Sequence, residues 1–156
     1  MNIIDVISPA TACTADEFQQ IQNFLQNHGL SSNIFLADKI SLKQPASHEF
    51  PSFPAILRFE QLKQAIINPN SQMIWCARGG YGSAEILPFL YQMPKPQNKK
   101  IFIGFSDISS INRFLIEEWQ WPVITAPLLA QITLNKVSKK KKNAILDLIL
   151  GKITQL

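Results

Sequence analysis

The sequence predicts an α/β fold in which helices cover both faces of a parallel sheet. Short runs of β-branched and aromatic residues, each the length of a buried strand, alternate with longer segments in which apolar residues recur every three to four positions. A helix between two consecutive strands makes those strands parallel and the crossover right-handed. With 156 residues, the chain has the size of one domain with a substantial core.

Capping and turn residues bound the predicted elements. The predicted strands cover residues 2–7, 34–36, 73–77, 101–103 and 123–125. The predicted helices cover about 14–27, 55–67, 83–91, 108–119 and 140–150. Thr14 and Glu17 have the spacing of a capping box, and Gly29 suits the position just past the end of the first helix. The proline-containing segment 38–54 is expected to be a long surface loop. This order is typical of a flavodoxin-like sheet.

Composition and charge exclude several classes of protein. The formal net charge is +4, and much of the excess lies in Lys139–Lys142, which is expected to be a solvated helix start because no interleaved aromatic residues accompany it. No apolar run approaches the roughly 20 residues of a membrane span, and the N-terminus does not have the pattern of a signal peptide. We therefore expect a cytoplasmic protein that binds neither nucleic acid nor membrane. Cys13 and Cys76 are expected to be reduced thiols.

A serine lies at a predicted strand-to-helix turn. Gly104 ends the strand at residues 101–103, Ser106 and Asp107 follow, and a helical period begins at Ile108. This arrangement resembles the nucleophile elbow of α/β-hydrolases in its logic, although it does not have the G-x-S-x-G pattern. The alternative is that Ser106 and Asp107 only cap the next helix.

A glycine-rich loop, Arg78-Gly-Gly-Tyr-Gly82, follows the third predicted strand, whereas the Ser106 turn follows the fourth. In a parallel sheet both lie at the carboxyl edge, which is the usual place for a ligand in open α/β folds. If the two strands are neighbours, the loops face each other. Glycines 79, 80 and 82 can then present backbone N–H groups without a side chain in the way.

Such an arrangement suits acyl transfer. A serine attacks a carbonyl carbon, and fixed N–H donors stabilise the negative oxygen that develops. The amide of Asp107 is the expected first donor, and that of Gly79 or Gly80 is the expected second. The same glycines could instead form a plain turn or hold a phosphate at a helix N-terminus, although the loop has neither a dinucleotide-binding nor a Walker pattern.

Other polar residues near these loops have alternative roles. Arg78 could anchor a substrate carboxylate or form a structural salt bridge, and Tyr81 is expected to form a wall of the cleft. His28 is expected at the end of the first helix, where the helix dipole favours a cation. His48 is expected in the long loop, exposed to solvent.

The chain resembles the LD-carboxypeptidase family of serine peptidases, which includes the microcin-immunity-type peptidases. The motifs that carry the resemblance are Ile7-Ser-Pro-Ala10, Ile74-Trp-Cys-Ala-Arg-Gly-Gly-Tyr-Gly82, Pro94-Lys-Pro96 and Ile103-Gly-Phe-Ser-Asp-Ile108. The glycine motif followed by Gly-Phe-Ser-Asp at this separation is specific, whereas neither would be alone. The resemblance covers nearly all of the chain but only the N-terminal half of the family's usual protein.

The resemblance implies a function and roles for the residues. Ser106 corresponds to the nucleophile, and the oxyanion hole would be formed by Gly79, Gly80 and the amide of Asp107. Substrate contacts would come from the rest of the glycine-rich loop: Arg78, Tyr81 and Gly82. The implied substrate is a peptide that ends in a D-amino acid, such as the murein tetrapeptide of cell-wall recycling. The resemblance implies no metal or cofactor, and family members are commonly dimeric.

The resemblance implies that a catalytic glutamate and histidine come from a C-terminal domain, and we expect that domain to be missing from this sequence. Residues 1–135 are expected to form the N-terminal nucleophile domain, and residues 136–156 a linker or helix toward the other domain. Neither His28 nor His48 matches the family's histidine, and Thr125-Ala-Pro127 stands where the family tends to have His-Gly-Pro. We therefore expect little peptidase activity from the chain alone, and a partner that is a second copy or a C-terminal half. The alternatives are a non-catalytic muropeptide- or peptide-binding module and a phosphate- or nucleotide-binding domain.

Overall fold

The computed structural model describes residues 3–35 and 53–152, which contain a five-stranded, fully parallel sheet. The strands are β1 (Ile3–Ile7), β2 (Ser31–Ile34), β3 (Met73–Cys76), β4 (Ile101–Gly104) and β5 (Val123–Thr125). Their order in the sheet is β2-β1-β3-β4-β5, which is the flavodoxin-like order. The predicted α/β fold is confirmed, and β3 and β4 are neighbours as the site requires.

Helices connect the strands in the predicted alternation. They are α1 (Ala15–Asn27), α2 (Ala55–Ile67), α3 (Leu87–Gln92), α4 (Ser109–Phe114), α5 (Leu129–Thr133) and α6 (Lys139–Ile149). A 3-10 turn precedes α3 at Ser83–Ile86 and another precedes α4 at Ser106–Ile108, whereas a π-helical turn, Leu115–Trp119, follows α4. The α5 helix was not predicted from the sequence.

The second strand lies closer to the N-terminus than the predicted 34–36. It begins at Ser31, because its backbone pairs with β1 from Ile3↔Ser31 to Val6↔Ile34. Ser31, Ser32 and Asn33 have weak intrinsic strand preference, so the partner strand rather than local propensity decides their conformation.

The start of α1 has the predicted capping box. The hydroxyl of Thr14 accepts a hydrogen bond from the amide of Glu17 at 3.2 Å, and the Glu17 carboxylate accepts one from the amide of Thr14 at 2.9 Å. Gly29, which follows the helix, has a φ of 72°, a conformation that glycine adopts without steric cost. The first crossover is therefore fixed at both ends by local sequence.

Two apolar clusters pack on the two faces of the sheet. One joins the face that contains Ile4 and Val6 to helices α1, α5 and α6. The other joins the face that contains Ile7 and Phe102 to helices α2, α3 and α4. Helix α6 contributes Ile145, Leu146 and Ile149 to the first cluster. Whether residues 136–156 also lead to a further domain stays a prediction.

Strand β5 forms one edge of the sheet and has only three residues. Proline lies close to each of its ends, at Pro122 and Pro127. The carbonyl of Pro122 accepts a hydrogen bond from the amide of Phe102 in β4 at 3.0 Å. The hydrogen-bonded ladder between β4 and β5 thus begins at Pro122 and ends shortly before Pro127.

Part of the predicted organisation lies outside the described residues. This applies to His48 and to all of the predicted loop 38–54 except residues 53 and 54. Within residues 3–35 and 53–152, no helix has the length and apolar character needed to cross a lipid bilayer.

Candidate active site

The pairing of β3 with β4 brings the glycine-rich loop and the Ser106 turn together. Trp75 in β3 pairs with Ile103 in β4 in parallel register, so the segments that follow these strands leave the sheet side by side at its carboxyl edge. A methyl group built on Gly79 would lie 3.4 Å from Cβ of Ser106 and 3.1 Å from Cδ1 of Leu128. The predicted nucleophile and the glycine loop are therefore adjacent.

Ser106 has an unusual backbone conformation. Its φ is 62°, in the left-handed region that costs a residue other than glycine about 1–2 kcal/mol. It is exposed and begins the 3-10 turn that precedes α4. A strained serine between a strand and a helix is the geometry of a nucleophile elbow. The alternative of a simple N-cap is not what the structure has: the capping position of this turn is Phe105, with no side-chain capping bond.

The carboxylate of Asp107 holds the two loops together. Its Oδ2 accepts a hydrogen bond from the amide of Ser83 at 2.8 Å, at the point where the glycine loop enters its 3-10 turn. The Ser83 hydroxyl donates to the carbonyl of Asp107 and contacts the hydroxyl of Ser110 at 2.7 Å. Asp107 therefore caps the other loop and not its own helix.

A buried arginine supports the glycine loop from the opposite side. Arg58, in α2, has no solvent exposure. Its Nη1 donates to the carbonyls of Pro9 at 2.9 Å and Gly82 at 2.6 Å, its Nε donates to the carbonyl of Phe53 at 2.8 Å, and its Nη2 pairs with Glu85. Sequence reasoning did not find this residue. The available signal was its place four residues before Leu62, on the buried face of an amphipathic helix.

The amides of the glycine loop point to no acceptor within the described part of the chain. Gly80 and Gly82 have φ values of 107° and 103°, and none of the hydrogen bonds among residues 3–35 and 53–152 uses the amide of Gly79 or Gly80. The carbonyl of Gly79 is fixed by the amide of Thr11 at 3.1 Å. Asp107 lies in the first turn of its helical segment, where amides lack intrahelical acceptors. Whether these amides form an oxyanion hole stays a prediction.

A cavity of about 200 Å³ opens at Ser106. It is lined by Arg78, Gly79, Gly80, Ser106, Leu128, Ala130, Gln131, Leu134 and Lys136. The second half of this lining comes from α5 and its flanks, which sequence reasoning missed. Tyr81, Gly82 and Asp107 do not line the cavity, and Tyr81 is 61% exposed.

Arg78 forms an ion pair at the rim of this cavity. Its Nη1 lies 3.0 Å from both carboxylate oxygens of Glu17, the same side chain that caps α1. This is one of the two roles expected for it. The pair ties the glycine loop to the start of α1.

Neither cysteine nor the described histidine shows the features of a catalytic group. Burial raises the pKa of the Cys13 thiol from 9.0 to about 12, with a smaller contribution in the same direction from Glu17. Burial also raises the pKa of Cys76 well above 9.0. His28 contacts the carbonyl of Phe24 in its own helix at 2.7 Å. Across the two described ranges, no three His, Cys, Asp or Glu side chains lie close enough together to hold a metal ion.

Comparison with known proteins identifies relatives of this arrangement. The family model for the LD-carboxypeptidase N-terminal domain matches residues 4–126. A Rickettsia conorii protein named as a carboxypeptidase is 29% identical over 154 residues, which are 98% of this chain and 46% of that protein. The murein tetrapeptide carboxypeptidase of Pseudomonas aeruginosa is 29% identical over 107 residues, 68% of this chain and 33% of the enzyme.

Solved structures share the fold. The muramoyltetrapeptide carboxypeptidase of Oxalobacter formigenes superposes with a TM-score of 0.72 at 18% identity, over 94% of this chain and 47% of the enzyme. A protein of Bacillus anthracis similar to the microcin self-immunity protein superposes with a TM-score of 0.73 at 20% identity, over 95% of this chain and 44% of that structure. The chain thus spans less than half the length of these relatives.

Proposed function

The chain belongs to the LD-carboxypeptidase family, through the N-terminal domain of that family, and from this premise we propose that it supplies the nucleophile of a serine LD-carboxypeptidase. The observation that carries the proposal is the contact between the strained, exposed Ser106 and the glycine loop with its unpaired amides. Groups from a C-terminal half would act as the general base and its orienting partner, because an isolated serine hydroxyl is a weak nucleophile at neutral pH.

The proposed reaction uses groups from both loops. Oγ of Ser106 attacks the carbonyl carbon of the last peptide bond, and the amides of Gly79, Gly80 and Asp107 stabilise the oxygen that becomes negative. Loss of one such donor typically costs about 10²–10³ in kcat. The C-terminal amino acid leaves, and water then releases the rest of the peptide from Ser106. The proposed substrate is a murein peptide that ends in a D-amino acid, in keeping with the names of the relatives from P. aeruginosa and O. formigenes.

Reaction with a fluorophosphonate tests whether Ser106 is an activated nucleophile. The full chain is incubated with the probe alone and with the C-terminal half of a full-length relative, and labelled peptides are identified by mass spectrometry. We expect labelling at Ser106 that increases when the second half is added. Labelling at other serines in a Ser106→Ala variant, at the rate of the unaltered chain, would contradict the proposal.

Gly79→Ala tests whether Ser106 depends on the close approach of the glycine loop, because alanine keeps the amide N–H and adds only a methyl group. The φ of Gly79 is not in the left-handed region, so alanine adds no backbone strain, but its methyl group would contact Leu128 and Ser106. We expect slower labelling of Ser106, because the methyl group would lie close enough to Leu128 and Ser106 to displace them. Labelling at the rate of the unaltered chain would show that this close approach does not matter.

Release of D-alanine from the murein tetrapeptide tests the substrate. We expect release when the chain and the second half are combined, and little from the chain alone. If the chain releases D-alanine by itself at a rate typical of an enzyme, the division of catalytic groups proposed here is wrong. If Ser106 is not labelled while the tetrapeptide still binds, the chain is a binding module, which is the second candidate.

A further inference from the structure

Two cationic side chains line the cavity at Ser106, and their charges are balanced differently. Arg78 is paired with Glu17, whose side chain is mostly buried. Lys136 has no ion pair, and its ammonium group has no hydrogen bond, within the described ranges. The cavity lining contains no aspartate or glutamate. Among the described residues, the cavity therefore has one positive charge without a counter-charge.

The backbone of Lys136 is held by a defined helix-ending turn. The amide of Lys136 donates to the carbonyl of Gln131 at 2.8 Å, and the amide of Asn135 donates to the carbonyl of Ile132 at 3.1 Å. Asn135 between them has a φ of 54°. This is a Schellman motif, with asparagine in the position that usually has glycine. The motif places the stem of Lys136 at a fixed point of the cavity wall.

Helix α5, to which this turn belongs, is attached to the strand that precedes the glycine loop. The amide of Ala130 donates to the carbonyl of Ala77 at 2.9 Å, and Leu129 and Ile132 are buried in the core. The position of Lys136 relative to Ser106 therefore depends on packed elements and not on a free loop.

Lys136 also stands where two cavities meet. A second cavity, of about 540 Å³, shares Gln131 and Lys136 with the first and extends along β5 toward α6. The smaller cavity, at about 30 Å³ for each water molecule, has room for about seven waters. That volume is more than enough for one small amino acid. The larger cavity has room for several more residues of a peptide.

Resting on the proposed function, we propose that Lys136 binds the terminal carboxylate of the substrate peptide and that the departing residue occupies the smaller cavity. A carboxypeptidase must distinguish a chain end from an internal peptide bond, and the end carries a negative charge that an internal bond lacks. Because Glu17 already balances Arg78, Lys136 is the cation of this cavity that is available to that charge. Lys136 is thus a specificity-determining residue.

Binding of a matched pair of peptides to the full chain tests this inference. The probes are acetyl-L-lysyl-D-alanine with a free carboxylate and the same peptide with a C-terminal amide. NMR titration measures the affinity of the chain for each peptide. We expect the unaltered chain to bind the acid about tenfold more tightly than the amide, in the range of a hydrogen bond to a charged group. Lys136→Met should remove that preference without changing the affinity for the amide.

Lys140→Met is the matched control, because this lysine is exposed on α6 and lines neither cavity. It removes the same charge and should leave the preference for the acid intact. Equal affinity of the unaltered chain for acid and amide, an unchanged preference in Lys136→Met, or no measurable binding of the acid would each overturn the inference. Labelling of Ser106 does not involve a carboxylate, so its failure would count against the proposed function independently of these results.

Discussion

The amino edge of the sheet, where the parallel strands begin, and the carboxyl edge, where they end, carry polar clusters of opposite character. The cluster at the amino edge consists of Asp5, Asn33, Asn68, Ser71 and Lys100. Its central carboxylate, on Asp5, has no solvent exposure and accepts hydrogen bonds from all four other side chains. Lys100 also donates to the carbonyls of Ala65 and Asn68. Burial lowers the pKa of its ammonium group, and the charge of Asp5 opposes that shift.

The cluster at the carboxyl edge leaves groups available instead. Ser106 is exposed in a strained conformation, the amides of Gly79 and Gly80 have no acceptor among the described residues, and Lys136 has no counterion there. The buried hydroxyl of Thr11, beside the glycine loop, also lacks a partner within these ranges. The polar groups at the amino edge thus have hydrogen-bond partners, whereas several polar groups at the carboxyl edge have none among the described residues. We therefore expect the buried cluster at the amino edge to contribute strongly to stability, whereas the carboxyl edge is where we propose that the substrate binds.

Breaking the buried pair at the amino edge should give the largest loss of stability. Lys100→Met leaves the carboxylate of Asp5 buried without its counterion, which we expect to lower the free energy of unfolding by about 3–5 kcal/mol. Urea unfolding followed by circular dichroism measures the change. Lys99→Met, at the exposed neighbouring residue, should change stability by less than about 0.5 kcal/mol. A similar small effect for both variants would show that the buried cluster is not a centre of stability.

Removing the buried arginine tests how the glycine loop at the carboxyl edge is supported. Arg58→Met leaves the carbonyls of Pro9 and Gly82 without their donor, so we expect a loss of about 2–4 kcal/mol together with faster hydrogen exchange in residues 79–82. Arg58→Lys keeps the charge but loses the fork of donors, and it should recover only part of the loss. Unchanged exchange in residues 79–82 would mean that Arg58 does not position the glycine loop.

Alkaline pH should destabilise the protein through a thiol at the carboxyl edge. The unfolded chain releases the Cys13 proton near pH 9.0, whereas the folded chain holds it to about 12, so the unfolded state binds fewer protons in this interval and stability falls as pH rises. Cys13 should contribute about 1.3 kcal/mol to the loss between pH 8 and pH 10, and Cys76, whose pKa burial also raises, should add to that loss. Urea unfolding at pH 8 and pH 10 should show a smaller decrease for Cys13→Ala than for the unaltered chain. Equal decreases would contradict the shifted pKa.

Relieving the strain at the nucleophile should give the smallest effect, and one of opposite sign. Ser106→Gly removes the cost of a positive φ but makes the unfolded chain more flexible, and we expect a net gain of about 0.5–1 kcal/mol. Ser106→Ala keeps the strain and should show no gain. Thermal unfolding compares the two variants. A loss of stability in Ser106→Gly would indicate that the hydroxyl, and not the backbone, determines the contribution of this residue to folding.

Most of the fold could be predicted because the strongest sequence signals are local. The 55–67 helix and the strand at 123–125 were predicted with the bounds that the structure shows. The α5 helix was missed because five residues give too few repeats for a helical period, and its position depends on contacts such as the bond between Ala130 and Ala77. The β2 strand was displaced in the prediction for a related reason, since pairing with β1 decides its start.

The candidate site divides in the same way. Ser106 and the glycines could be found from sequence because each belongs to a short motif that directly follows a strand. Arg58 and Lys136 could not, because their roles depend on distant partners: Arg58 contacts residues from three separate segments, and Lys136 reaches the site through a helix that the sequence did not reveal. The interlock between Asp107 and Ser83 likewise appears only in three dimensions.

The short β5 strand between Pro122 and Pro127 limits how copies of the protein can associate. An open sheet edge can recruit a strand from another molecule and so begin edge-to-edge aggregation. A three-residue edge with a proline near each end offers too few backbone groups for such recruitment. Complexes formed on this side of the molecule would therefore have to be held by side chains of helices and loops, without extension of the β-ladder.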